Sequence, residues 1–106
     1  MSDAGDNIRE RPYADALRRL KEAGLRPTRQ RLALGKLLFD AGDRHVTAEQ
    51  VHGEVGAQGI KVSLATIYNT LNQFTESGLL REVVVAPGRS YFDTNVSDHH
   101  HFFYED

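Results

Sequence analysis

Apolar residues recur every three to four positions up to residue 78, which is the spacing of helices that bury one face. The pattern predicts four helices, at about residues 12–23, 28–40, 47–55 and 63–78, each opened by a proline or a capping residue. Residues 41–46, which include Gly42, are predicted to form a turn. The inner faces of the first three helices are predicted to carry Ala14, Leu17 and Leu20, then Leu32, Leu34, Leu38 and Phe39, then Val51 and Val55.

After Gly78 the pattern changes to alternating and β-branched residues. Two strands are predicted at residues 80–86 and 89–94, joined by a turn at Pro87 and Gly88. Three of these helices followed by a hairpin make the winged-helix arrangement, so the predicted fold class is mainly α with a β-hairpin, a winged helix-turn-helix. This domain would span residues 12–95, behind a flexible N-terminal arm at residues 1–11.

The predicted helix at residues 63–78 has an outer face rich in amides and poor in charge. Ser63 is a good N-cap, and Gly78 is a good left-handed terminator. The apolar stripe is Leu64, Ile67, Leu71 and Phe74, and the other side carries Ala65, Asn69, Asn72, Gln73 and Glu76, flanked by Thr66 and Tyr68. Asn, Gln, Thr and Tyr can contact base edges in a major groove, which predicts a DNA-binding domain. An ordinary amphipathic helix with a polar outer face is the alternative.

Three arginines surround the predicted start of the second helix at Thr28, namely Arg26, Arg29 and Arg31. Free backbone amides at a helix N-terminus favour an anion, so this cluster is predicted to contact phosphate. Arg89 lies beside the hairpin tip, where a wing meets the DNA backbone or the minor groove. A set of merely solvated arginines is the alternative.

The net charge of −2 argues by itself against a nucleic-acid binder, but the charge is unevenly distributed over the 106 residues. Residues 1–40 carry nine Lys/Arg and six Asp/Glu. Residues 41–92 carry four Lys/Arg and five Asp/Glu, and residues 93–106 carry no Lys/Arg and four Asp/Glu. Such a gradient suits a chain that meets phosphate at one end and a cation at the other, although charge segregation also arises without function.

The length fits one small domain. The lack of cysteine excludes disulfides and a thiolate zinc site within the chain, and fits a reducing compartment. No apolar run has membrane-spanning length, and residues 1–10 lack a signal-peptide core. The predicted location is therefore the cytoplasm, with no membrane contact.

Histidines cluster near the end of the chain, where His99, His100 and His101 follow Asp93 within eight residues. In an extended segment His99 and His101 would point to one side, and imidazoles with a carboxylate suit iron, manganese, zinc or haem iron. His45 is a candidate fourth ligand. A solvated loop or a remnant of an expression tag is the alternative.

The sequence resembles the ferric uptake regulator family of metal-responsive repressors over roughly residues 12–104. The matching blocks lie, in the family's order and spacing, at residues 24–31, 45–49, 63–72, 91–93 and 99–101. Within the family, the histidine triplet and the asparagine after Tyr68 resemble the iron response regulators of rhizobia and their relatives.

This resemblance implies a dimeric transcription factor that binds palindromic, A·T-rich operator DNA. It also implies a response to haem as a measure of iron status, with repression of genes such as those of haem synthesis when iron is scarce. A repressor of the same family that responds to a divalent metal (Fe, Mn or Zn) without sensing haem is the alternative.

The resemblance also implies residue roles. Tyr68 would contact thymine methyls or base edges, and Arg26 would enter a narrow minor groove. Asn69 stands where most of the family has Arg, so the usual guanine contact is not expected. The predicted DNA-binding residues are Arg26, Thr28, Arg29, Ser63, Ala65, Thr66, Tyr68, Asn69, Gln73 and Arg89. The family's regulatory metal site maps onto His45, Asp93, His99 and His101, and the haem-responsive branch uses the triplet His99, His100 and His101.

Two departures from the family pattern bear on these expectations. Tyr104 stands where many relatives have the first cysteine of a structural zinc site. Residues 96–106 correspond to the hinge and the start of the dimerisation domain, which is otherwise absent, so a homodimer is expected of the full-length protein. No Cys-Pro haem motif is present, so haem sensing would depend on the histidines.

Two other functions were weighed. Two histidines and one carboxylate are typical of non-haem iron oxygenases, but an enclosed substrate pocket needs more strands than this chain offers, so no enzyme is predicted. A winged helix that binds a protein partner would show apolar anchors in place of the amide-rich face.

Overall fold

The computed structural model describes residues 12–96. The helices are α1 (Ala14–Glu22), α2 (Arg29–Phe39), α3 (Ala48–Ala57) and α4 (Leu64–Glu76), and the strands are β1 (His45–Val46), β2 (Arg81–Ala86) and β3 (Arg89–Asp93). The predicted mainly helical fold with a hairpin is therefore confirmed. The predicted arm at residues 1–11 and the histidine triplet lie outside the described residues, so both stay predictions.

Three of the helices begin at the residues predicted to cap them. In each case the cap hydroxyl accepts a hydrogen bond from the backbone amide three residues later, which pairs one of the free donors of the first turn. The distances are 3.2 Å from Thr28 to Arg31, 3.0 Å from Thr47 to Gln50 and 3.1 Å from Ser63 to Thr66. Helix α1 has no side-chain cap, and its N-cap is Tyr13, so Pro12 precedes the helix.

Helix α4 ends at the predicted glycine. Gly78 has a φ of 88°, in the left-handed region that costs an L-residue energy. The Leu79 amide then donates to the Phe74 carbonyl at 2.8 Å, and the Leu79 side chain packs against the core. Helices α1 and α3 end in the same way, with Leu25 donating to Leu20 and Ile60 donating to Val55.

The three strands form one antiparallel sheet in the order β1-β3-β2. The hairpin of β2 and β3 was predicted, whereas β1 was not, because residues 41–46 were predicted to be a turn. His45 and Val46 instead pair with Asp93 and Phe92 of β3. A two-residue strand has no periodicity of its own, so only its distant partner defines it.

The core lies between the helices and the inner face of the sheet. Its largest fully buried side chains are Leu20, Leu34, Leu38, Val46, Val51, Val55, Ile67, Leu71, Phe74 and Phe92. The predicted inner face of α1 is wrong at Ala14, which is exposed, while Ala16 is buried. Helix α1 approaches α2 closely at Ala16, because Gly35 has no side chain. A Cβ on Gly35 would lie 3.0 Å from the Ala16 Cβ. This contact turns Ala14 towards solvent. Within residues 12–96, no helix is long and apolar enough to cross a membrane.

Candidate nucleic-acid interface and metal-binding pair

Helix α4 presents its polar side to solvent, as predicted. Ile67, Leu71 and Phe74 are fully buried, and Leu64 is partly buried. On the opposite side the exposed residues are Ala65, Asn69, Asn72, Gln73 and Glu76, and Thr66 is half-buried on the flank. The amphipathic pattern is confirmed, and the face is available for contact. Its role in binding bases stays a prediction.

Tyr68, the predicted base-contacting residue on this face, is held by a partner from another helix. Its hydroxyl donates a hydrogen bond to Oε2 of Glu49, on the first turn of α3, at 3.0 Å. This hydrogen bond, together with desolvation and the Glu49 charge, raises the pKa of Tyr68. The sequence pattern does not indicate Glu49, because a pair 19 residues apart leaves no periodic signal.

The arginines at the start of α2 do not share one environment. Arg26 and Arg29 are exposed, as a phosphate contact requires, whereas Arg31 is half-buried. The Arg31 guanidinium donates to the Arg26 carbonyl at 2.8 Å and to Oε1 of Gln73 at 2.9 Å. The Arg31 side chain thus joins α2 to α4, and contact with phosphate stays a prediction for all three arginines.

The N-terminus of α2 and the face of α4 border one shallow groove of about 310 Å³. Its lining includes Arg26, Thr28, Arg31, Thr66, Asn69 and Gln73. Part of the sequence-predicted set thus lines a single surface that combines positive charge with amide groups, whereas Arg29 and Tyr68 are not among the residues that line it.

The remaining predicted DNA-binding residues divide between caps and the hairpin tip. The Thr28 and Ser63 hydroxyls cap α2 and α4, and the Ser63 hydroxyl also donates to the Thr66 hydroxyl at 3.0 Å. Arg89 is exposed at the start of β3, directly after Gly88. The cap roles are confirmed by these bonds, and contact with DNA stays a prediction for each of these residues.

The sheet places two of the four predicted metal ligands together. The pairing of β1 with β3 sets His45 opposite Asp93, and His45 Nδ1 lies 3.9 Å from Asp93 Oδ2. The imidazole also stacks on the Tyr91 ring, with 4.4 Å between ring centres. The His45 side chain is 55% exposed and that of Asp93 is 19% exposed, so both remain reachable from solvent.

Asp93 has two further partners. Its Oδ1 accepts a hydrogen bond from the Asn95 amide at 2.9 Å, and its Oδ2 lies 3.5 Å from Nη2 of Arg81. Arg81 is opposite Asp93 on β2, so the carboxylate sits between a cation on one neighbouring strand and an imidazole on the other.

One imidazole and one carboxylate are donor types that suit Zn²⁺, Mn²⁺ and Fe²⁺. They make an incomplete site, and residues 12–96 contain no group of three or more potential ligands. His99, His100 and His101 lie outside the described residues. The described part of the chain therefore fits half of the predicted donor set.

Arg44 fixes the position of β1. Its guanidinium binds both carboxylate oxygens of Glu54 on α3, at 2.8 and 2.7 Å. The Arg44 amide donates to the Thr94 hydroxyl at 2.8 Å, and the Thr94 amide donates to the Arg44 carbonyl at 3.0 Å. The bond to Arg44 lowers the pKa of Glu54. This anchor holds His45 in register with Asp93.

Comparison with known proteins gives consistent matches. Residues 22–106 match the model of the ferric uptake regulator family. The peroxide operon regulator of Bacillus subtilis is 39% identical over a match that covers 82% of this chain and 59% of the relative. The ferric uptake regulation protein of Shigella flexneri is 36% identical over a match that covers 76% of this chain and 55% of the relative. The chain thus spans less than two thirds of the length of these curated relatives.

Solved structures agree with the sequence matches. The ferric uptake regulator of Pseudomonas aeruginosa, solved with manganese, has a TM-score of 0.68 and 33% identity. The match covers 74% of this chain and 59% of that protein. The ferric uptake regulator of Vibrio cholerae has a TM-score of 0.70 and 32% identity, and the match covers 79% of this chain and 63% of that protein. These likenesses confirm the predicted winged-helix fold.

Proposed function

The chain belongs to the ferric uptake regulator family, and from that premise we propose that it is the DNA-binding part of a metal-responsive transcriptional repressor. The family consists of regulators and not of enzymes, which agrees with the sequence prediction. The observation that carries the proposal is the groove between α2 and α4, where the amide-rich face of α4 adjoins the exposed Arg26 and the half-buried Arg31.

The residues in and around this groove have different tasks. Tyr68, Asn69 and Gln73 on α4 contact base edges in the major groove, since side chains of these kinds match base donors and acceptors. Arg26 and Arg29 contact the phosphate backbone or the minor groove, which positions the domain without specifying sequence. Arg89 extends this contact from the hairpin tip.

The operator is palindromic and A·T-rich, and it is bound by a homodimer of the full-length protein. A twofold-symmetric protein recognises two half-sites, so each domain needs to bind only one. One domain alone makes fewer phosphate contacts than the dimer, so its affinity is lower and falls less steeply with salt.

The metal response uses His45 and Asp93 together with His99 and His101. These four side chains would hold a divalent cation, whose positive charge would neutralise Asp93. The regulator of Pseudomonas aeruginosa was solved with manganese, and that of Francisella tularensis was solved with iron. The stacking of His45 on Tyr91 holds the imidazole ready for such a ligand.

A finer proposal concerns haem. The triplet His99, His100 and His101 supports a place in the haem-responsive branch that resembles the rhizobial iron response regulators, with genes of iron and haem metabolism as targets. The proposal rests on the sequence of these residues.

DNA binding is tested by fluorescence anisotropy with a palindromic A·T-rich duplex and its scrambled counterpart at moderate salt. A preference of roughly tenfold or more for the palindrome is expected, and equal binding to both duplexes overturns the proposal, since phosphate contacts alone do not distinguish them.

The ligand is tested by absorbance titration with haem, beside a variant in which His99, His100 and His101 are alanine, with manganese as competitor. A saturable Soret shift that the variant loses supports haem sensing. Equal weak adsorption of haem to both proteins, with binding of manganese only, leaves the metal-responsive repressor and removes the haem branch.

A further inference from the structure

We propose that Gln73 presents a hydrogen-bond donor to DNA and therefore selects acceptor base edges, thymine O4 or guanine O6 and N7, and that Arg31 is the positioning residue that imposes this polarity. The inference rests on the proposed DNA-binding function and assigns one element of its specificity.

Arg31 is fixed from several sides at the start of α2. Its backbone amide is bound to the Thr28 hydroxyl at 3.2 Å, and its Nη1 donates to the Arg26 carbonyl at 2.8 Å. From this position Nη2 reaches across to α4 and donates to Oε1 of Gln73 at 2.9 Å. Arg31 as a whole is half-buried, and its guanidinium joins the two helices at the exposed surface.

The chemistry of the pair determines which end of the Gln73 amide faces outward. A guanidinium carries five N–H donors and no acceptor, so the amide atom that meets Arg31 is the oxygen. The Nε2 group, with its two hydrogens, is the part of the amide that stays free of Arg31. Gln73 itself is exposed on the face of α4 that borders the groove.

This arrangement disfavours the usual contact of glutamine with adenine. That contact needs Oε1 to accept from adenine N6 while Nε2 donates to N7. Oε1 has a second lone pair, but the Arg31 charge beside it repels the amino hydrogens that adenine would bring. The free donor could still reach adenine N7, but adenine N6 would then lack its acceptor, whereas thymine O4 and the guanine acceptors need only the donor.

Asn69, one turn earlier on the same face, provides the contrast. Among residues 12–96 it has no side-chain hydrogen-bond partner, and it is exposed. Its amide keeps both donor and acceptor and is free to rotate, so it suits adenine. The two amides of α4 therefore differ in selectivity because only one of them is held by an arginine.

The test is selection from a random duplex library with the full chain, followed by sequencing. A Gln73→Ala variant first identifies the base position that relaxes when the amide is removed. At that position the native chain should select thymine or guanine. Arg31→Met, which keeps length and removes the donors, should shift the preference towards adenine by roughly tenfold, the discrimination that one bidentate contact supplies.

Gln73→Glu is a second variant, and it should fold, since the contact with Arg31 becomes an ion pair. A carboxylate is an acceptor only, so the selected base should change to cytosine, whose N4 donates. Asn69→Ala is the matched control and should relax a different position.

The possible outcomes distinguish a failure of DNA binding from a failure of base selection by Gln73. If the native chain enriches no DNA sequence, the DNA-binding proposal itself is overturned. If it enriches a sequence but Arg31→Met selects the same base as the native chain, Arg31 only braces the two helices and the inference is wrong. A native preference for adenine at the Gln73 position overturns it as well.

Discussion

The Tyr68 hydroxyl donates to a Glu49 carboxylate oxygen at 3.0 Å, so the side chain predicted to contact bases is held from the first turn of α3. The bond and the nearby charge raise the pKa of Tyr68, because both favour the protonated phenol. We expect Glu49→Ala to lower the pKa of Tyr68 towards its ordinary value of about 10. A pH titration followed by NMR of labelled tyrosine measures the change.

The sign of the accompanying stability effect follows from linkage. A raised pKa in the folded state contributes stability that is fully present below the unfolded value, and this stability is lost as pH rises through the folded pKa. Glu82→Gln, on the exposed strand β2, is the control and should leave Tyr68 unchanged. An unaltered Tyr68 titration in Glu49→Ala would show that the pair does not form in solution.

Tyr68 and Arg26 should affect DNA binding in different ways. Tyr68→Ala removes a base contact, so we expect a loss of about 1 to 3 kcal/mol for the preferred duplex and little loss for scrambled DNA. Arg26→Ala removes a charge near the backbone, so binding should weaken on all sequences and the slope of log K against log salt should fall by about one. Salt-dependent anisotropy measures both. Retained specificity in Tyr68→Ala would mean that another element recognises the sequence.

The bidentate pair between Arg44 and Glu54 should contribute measurably to stability. Both side chains are mostly buried, so we expect Glu54→Gln to cost about 1 to 2 kcal/mol at neutral pH, between the values of exposed and buried pairs. Denaturant unfolding followed by circular dichroism measures the difference. Glu76→Gln, on the exposed face of α4, is the control and should change stability by less than about 0.5 kcal/mol.

The same pair predicts a pH dependence. Arg44 holds the pKa of Glu54 below its ordinary value, so the stabilisation is present above the unfolded value of about 4.3. It disappears as pH falls through the lower pKa of the folded state. The native chain and Glu54→Gln should therefore converge in stability in acid. A difference that persists there would point to lost packing and not to charge.

Arg81 should compete with any cation for Asp93. Its Nη2 lies 3.5 Å from the same carboxylate oxygen that faces His45, so binding of a metal there requires Arg81 to withdraw. We expect Arg81→Ala to tighten manganese binding by about twofold to fivefold, which corresponds to the strength of an exposed ion pair. Asp93→Asn should weaken it strongly. Calorimetric titration with Mn²⁺ measures both, and an unchanged affinity in Arg81→Ala would exclude competition.

Two helical glycines should respond to alanine with opposite signs. At Gly35 a Cβ would lie 3.0 Å from the Ala16 Cβ, which cannot rotate away, so α1 and α2 must separate. We expect Gly35→Ala to destabilise the fold by about 1 to 2 kcal/mol despite its better helix propensity. At Gly53 nothing lies within 4 Å, and Gly53→Ala should stabilise it by about 0.5 to 1 kcal/mol. Thermal unfolding of both variants measures the two changes in stability. A stabilising Gly35→Ala would show that α1 and α2 adjust freely.

Local signals in the sequence were sufficient for most of the helical boundaries. Ser63 and Gly78 delimit α4 because a cap and a left-handed terminator act on neighbouring backbone groups. The buried face of α4 followed from a spacing that is regular over three turns. The face of α1 did not, because its orientation depends on a close contact with Gly35 that no spacing within α1 encodes.

The candidate site was predictable to a different degree. The residue types on α4 suggested contact with bases, but the supports from Glu49 and Arg31 are contacts between distant positions and left no trace in the pattern. His45 was a candidate ligand from its residue type alone, and its place beside Asp93 was implied by the family resemblance. The strand that creates this juxtaposition was missed, since it exists only through pairing with β3.

Strand β1 contains two residues, and the hydrogen bonds that flank it join Arg44 to Thr94, about 50 positions later in the chain. Closing so long a loop costs entropy, and only a few hydrogen bonds offset that cost. This edge of the sheet should therefore open locally at a lower free energy than the β2–β3 hairpin. Opening separates His45 from Asp93. A ligand that bridges the two would add its binding free energy to the cost of opening, and solvent exchange at the Val46 amide would slow as occupancy rises. The lifetime of this short strand thus becomes a measure of how much ligand the protein holds.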